Sequence, residues 1–77
     1  MYEDYQTSVR QRISKQQAQQ IALQRVPGRV IHVDLDLEHG VLVYEVFILT
    51  AQNKIFEVEI IARIGRVRKI EQEDDID

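Results

Sequence analysis

The apolar positions follow a helical spacing in the first third of the chain and alternate through the middle. Ala18, Ile21, Ala22 and Val26 fall on one side of a helix, while Gln16, Gln19, Gln20 and Gln24 mostly point away. Ser14 and Gln17 form a Ser-x-x-Gln capping box, with Ile13 and Ala18 placed as its hydrophobic staple, so a helix is expected to start at Ser14. Pro27 disfavours helix at the residue before it, and Gly28 is expected to take a left-handed conformation, which ends the helix near Val26. Arg25 lies beside the apolar stripe and should snorkel.

From Ile31 the pattern becomes period two. Ile31, Val33, Leu35 and Leu37 face one way, and His32, Asp34, Asp36 and Glu38 the other, the signature of a half-buried strand. His39-Gly40 suits a two-residue hairpin turn, which sets Leu37 opposite Leu42, Leu35 opposite Tyr44, Val33 opposite Val46 and Ile31 opposite Ile48. A three-residue loop, Ala51-Gln52-Asn53 with Asn53 left-handed, then sets Ile48 opposite Phe56, Val46 opposite Val58 and Tyr44 opposite Ile60. A turn around Arg63-Ile64-Gly65 leads to a short strand from Val67 to Glu71, whose register stays open because Val67 and Ile70 have opposite parity. The expected architecture is α+β in two layers, one main helix packed on a four-stranded antiparallel meander sheet.

Composition narrows the function. With 77 residues there is room for one domain, and without cysteine it must be held by packing alone. Hydrophobic residues at 44% against 30% charged indicate a folding chain rather than a disordered one. A net charge of −3 offers no general attraction to phosphate backbones or anionic lipid, so nucleic acid is not an expected partner. No apolar run approaches the ~20 residues of a membrane span, and Tyr2-Glu3-Asp4-Tyr5 is not a signal-peptide start. The sequence reads as a cytoplasmic protein or the processed part of an exported one. Residues 1–12 form an N-terminal segment, either a linker or a short helix on Tyr2, Tyr5, Val9 and Ile13; 13–71 form the domain; 72–77 form an acidic tail.

Candidate chemistry is sparse. Ser14 is accounted for as a cap, Ser8 has no histidine near it in sequence, and His32 and His39 share no ligand or triad spacing, so no catalytic, cofactor-binding or metal-binding residue is assigned. The sheet face turned away from the helix is more informative. Its expected cross-strand rows are Val30, Leu49, Ile55; His32, Phe47, Glu57; Asp34, Glu45, Glu59; and Asp36, Val43, Ile61. Val43, Phe47, Leu49, Ile55 and Ile61 make that face half apolar, which suggests a protein-contact surface, cover by the first dozen residues, or scattered groups without a role. The acidic row Asp34, Glu45 and Glu59 should be offset by Arg68 or Lys69 of the last strand; a basic partner and a calcium-type site are the other readings.

Ser14, Ala18, Ile21-Ala22, Val26-Pro27-Gly28, Val33, Leu35, Tyr44-Glu45-Val46, Glu57-Val58, Ile60 to Ala62 and Gly65-Arg66-Val67, in that order and spacing, resemble the PepSY domain. The resemblance runs from about Ile13 to Glu71. It departs from the family pattern where an aspartate commonly precedes the alanine of the third strand and a Thr-Gly or similar turn follows, for Ile61 and Ile64 stand in those places. The resemblance implies a non-enzymatic, extracytoplasmic, protein-binding module, a regulator or inhibitor of a peptidase. The alternative is a structural module that homodimerises through its apolar sheet face without a peptidase partner. Either role needs complementary surface rather than a reactive group.

Overall fold

A computed structural model describes residues 12–73 of the chain. One helix, α1 (Lys15–Arg25), precedes four strands, β1 (Arg29–Glu38), β2 (Val41–Leu49), β3 (Ile55–Ile61) and β4 (Arg66–Glu73). The strands form one antiparallel sheet in the order β1-β2-β3-β4, with α1 packed across one face. This is the expected two-layer α+β fold. The suggested helix on Tyr2, Tyr5 and Val9, any cover from the first eleven residues and the end of the acidic tail lie outside the described residues.

The start of α1 is built as its sequence predicts. The Gln17 amide donates to Ser14 Oγ at 3.0 Å, and the Ser14 amide donates to Gln17 Oε1 at 2.8 Å. Both pairs satisfy amides that the first turn would otherwise leave open. The approach is also held to the sheet, since the Ile13 amide donates to the Ala62 carbonyl at 2.8 Å and the Tyr44 hydroxyl donates to the Ile13 carbonyl at 2.9 Å. Ala18 and Ala22 are fully buried, and their small side chains bring the helix axis close to the sheet. Beneath them lie Tyr44, Val46, Ile48, Val58, Ile60 and Ala62.

The helix ends without a left-handed residue. Val26 is extended, and its amide still donates to Ala22 at 2.9 Å. Gly28 has φ +158, close to fully extended, so the expected left-handed cap is replaced by a steric requirement. A Cβ at Gly28 would sit 2.4 Å from the Leu49 carbonyl oxygen and 2.8 Å from Ile48 Cγ2, because the backbone passes directly against β2.

The β2–β3 register and both tight loops match expectation. His39 and Gly40 both have positive φ, and Asn53 stands at φ 67. The β1–β2 register matches from Val33 to Leu37 but not at Ile31. A bulge there sets Val30, not Ile31, opposite Ile48, so Val30 packs on the core and Ile31 becomes exposed. Gly28 anchored against Leu49 brings the chain into the sheet one residue early, and the bulge absorbs the excess. A second bulge resolves the parity conflict in β4. Ile70 pairs with Val58 and Val67 with Ile60, both on the helix side, and Arg68 is the extra residue. The strand also runs to Glu73, two residues beyond the expected end.

Candidate functional site: the open face of the sheet

Successive residues of β2 point to opposite faces, so the strand that sends Tyr44, Val46 and Ile48 under the helix sends Val43, Glu45, Phe47 and Leu49 to the open face. The register brings together three of the four expected rows: His32, Phe47, Glu57; Asp34, Glu45, Glu59; and Asp36, Val43, Ile61. The fourth is corrected by the Ile31 bulge to Arg29, Leu49, Ile55, with Glu73 beside it on β4.

Phe47, Leu49 and Ile55 form a half-buried apolar group toward one end of this face. The His32 ring lies against Phe47, with centroids 5.7 Å apart and planes tilted by 47°, and its Nε2 is 3.1 Å from Asp34 Oδ2. At the other end the expectation of a contact residue fails for Val43, which is fully buried although no helix covers it. An ion pair spans the same end of the face. Arg68, lifted out of the β4 ladder by its bulge, places Nε 3.1 Å from Glu59 Oε1 and Nη2 2.8 Å from Glu38 Oε1. Because Glu38 belongs to β1 and Arg68 to β4, this bridge joins the two edge strands across β2 and β3. Glu59, only 4% exposed, is thereby paired, with Lys69 Nζ at 4.0 Å on its other oxygen. Of the acidic row, Arg68 and Lys69 reach Glu59, whereas Asp34 lies beside His32 and Glu45 beside Glu38. Ile61, half-buried, flanks the bridge, and Ile64 stands exposed in the β3–β4 turn.

Between these ends runs a band of carboxylates. Oxygen atoms of Asp36, Glu38 and Glu45 lie within 4.8 Å of one another, as do those of Glu45, Glu57 and Glu59, and of Glu57, Glu71 and Glu73. Each trio could offer one oxygen per residue to a cation, though a flat sheet supplies ligands from one side only, short of the enclosure calcium prefers. Crowding is recorded in the protonation. Burial, the hydrogen bond with Glu38 and repulsion from Glu38, Asp36 and Glu59 push the Glu45 carboxyl up to about 7. Burial, the hydrogen bond with Glu73 and repulsion from Glu45 and Glu59 push Glu57 up to about 7 as well. Lys69 is held above its usual range by its bond to Glu71 at 3.1 Å and by the charges of Glu71 and Glu59. Glu57 was placed in its row by sequence parity, but its joining of two acidic trios depends on Glu71 and Glu73, whose register needed the β4 bulge.

The described hydroxyls and imidazoles have structural work. Ser14 Oγ caps α1, Thr50 Oγ1 accepts from the Lys54 amide at 3.3 Å, and His39 occupies the β1–β2 turn. What remains open is a surface.

A short helix over a four-stranded meander, with one sheet face left uncovered among the described residues, makes this a small two-layer α+β module. The chain belongs to the PepSY family, described as peptidase propeptide and YPEB domain, whose family model matches residues 12–71. It is 40% identical over 62 residues to the uncharacterized protein YkoJ of Bacillus subtilis (strain 168), a match covering 80% of this chain and 36% of YkoJ. Its fold is similar to the crystal structure of a "putative lipoprotein (CD1622)" from Clostridium difficile 630, with TM-score 0.77 and 28% identity over 82% of this chain and 41% of that one. The chain thus spans about two-fifths or less of the length of the relatives it matches.

Proposed function

We propose that this chain is a non-enzymatic protein-binding module of an extracytoplasmic protein, a regulator or inhibitor of a peptidase, and that it binds through the open face of its sheet. The observation carrying this reading is the half-buried group Phe47, Leu49 and Ile55 on a face that no described element covers. Phe47 is the anchor, being aromatic and flanked by β1 and β3, while Leu49 and Ile55 adjoin it and Ile61 lies toward the other end of the face. Asp34, Glu45 and Glu59 lie along the same face and favour a partner whose rim is basic. Self-association through this face would set the carboxylates of two copies against one another, so the homodimer gains no support from the charge pattern.

The test is the Phe47→Lys variant, which removes the anchor without touching the helix-side core. A partner recovered with the wild type, once purified, should bind the variant more weakly by about 2 kcal/mol, the cost of losing an interface hot spot. Equal affinity for both proteins, or monomeric behaviour of both in sedimentation with no partner retained by either, would overturn the proposal.

A further inference from the structure

The helix leaves part of its own face bare, and it does so at an edge. β1 is the outermost strand and pairs only with β2, so the whole length of its other side presents unpaired backbone among the described residues. Val30 and Val33 pack on the core beneath α1, whereas Leu35 and Leu37 are 42% and 65% exposed. On the opposite face of the same strand stand Asp34 and Asp36, both exposed, followed by Glu38. From His32 to Glu38 the edge therefore alternates, apolar toward the helix side and acidic toward the open face.

Charges on an edge strand commonly guard against sheet-to-sheet aggregation. Here they are of one sign, which makes the guard selective. Antiparallel pairing of β1 with β1 of a second copy, centred on Leu35 or on Asp36, would oppose acidic residue to acidic residue on the outer face. The basic strand of a second copy is no better suited, since Arg68 and Lys69 of β4 are already engaged by Glu38, Glu59 and Glu71 and its exposed Arg66 offers a single charge. A foreign strand with basic side chains at alternate positions meets neither obstacle.

We propose that β1 accepts an extended segment of another polypeptide as a fifth strand, over residues 32–38, and that this segment alternates apolar and basic side chains. The apolar side chains would cover Leu35 and Leu37, the basic ones would meet Asp34 and Asp36, and the backbone would complete the edge. The Ile31 bulge sets the limit at one end and the His39-Gly40 turn at the other. This rests on the reading of the chain as a protein-binding module but uses a different surface from Phe47.

Nuclear magnetic resonance of the isotopically labelled chain tests it, with two capped heptapeptides as probes, one alternating valine with lysine and one alternating valine with glutamate. The lysine peptide should shift the amides of 32–38 and slow their hydrogen exchange, and should bind roughly tenfold or more tightly than the glutamate peptide. In the Asp34→Lys/Asp36→Lys variant the preference should reverse. Both sites are exposed, and an unchanged circular dichroism spectrum would confirm that the variant folds. A Leu37→Ser variant should weaken both peptides, and Ile64→Ser, in the β3–β4 turn, should leave the lysine peptide's affinity unchanged. Equal binding of the two peptides, no binding, shifts centred on Phe47 or on β4, or peptide-induced assembly of the chain would overturn the edge site. Loss of a partner by Phe47→Lys together with no peptide binding would remove the edge site while leaving the open-face reading intact.

Discussion

The two faces of the sheet are made by the same strands and both carry apolar residues, yet they are finished differently. In β2, Ile48 is completely buried under α1 while its neighbour Phe47 remains half-buried against a histidine ring. The helix face is a packed apolar core. The open face has one completely buried apolar residue among the described ones, Val43, and carries a salt bridge that ties its two edge strands together. An apolar residue in a small sheet is therefore not core by itself; its face and the element laid over that face decide.

Truncations on the two faces should separate most widely. Ile48→Ala removes a fully buried side chain in a close-packed layer and should cost about 3 kcal/mol or more, a large part of the stability of a domain this small. Phe47→Ala, one residue away, should cost much less in thermal unfolding. Similar losses for the two would erase the distinction between faces. Gly28→Ala should come next, at about 2 kcal/mol, because its Cβ would collide with the Leu49 carbonyl, a backbone atom that cannot turn aside. A melting midpoint unchanged by this substitution would show that the entry into β1 is not sterically fixed.

On the open face, Arg68→Met should destabilise by about 1–2 kcal/mol, since Glu59 would be left within the sheet without its main partner. Adding Glu59→Gln should recover much of that loss in denaturant titrations. If the double variant is no more stable than Arg68→Met, the loss does not come from an unpaired Glu59.

The smallest expected effect is the pH dependence. Glu45 and Glu57 hold their protons more tightly in the folded state, up to about 7 against an ordinary value of 4.5. Their contribution is therefore most favourable near or below 4.5 and is lost as pH rises through about 7, so stability should fall from pH 5 to pH 8. After solvent screening the two together should contribute about 1 kcal/mol to that fall. Glu45→Gln/Glu57→Gln should flatten the profile and raise stability at pH 8, and a profile that keeps its slope would locate the cause elsewhere.

Much of this architecture is legible in the chain because its local signals are strong. Ser14 and Gln17 mark the start of the helix, and His39-Gly40 and Asn53 set two hairpin registers, which in turn assign Phe47, Glu45 and Glu59 to the open face. The features missed by pattern alone depend on distant contacts. The bulge at Ile31 follows from Gly28 resting against Leu49, twenty-one positions later in sequence; Glu38 is tied to the far edge of the sheet by Arg68 of β4; and Leu35 and Leu37 are exposed because α1 stops short of them. The bulge at Arg68 did leave a trace, the opposed parity of Val67 and Ile70, but parity cannot say which residue leaves the ladder.

The central claim is that Phe47 serves contact and not folding. Measuring the melting midpoint of Phe47→Lys beside its affinity for the purified partner tests this most directly. The account predicts a midpoint within a few degrees of the wild type and roughly thirtyfold weaker binding. A variant that binds as the wild type does, or that melts as early as Ile48→Ala, would contradict it.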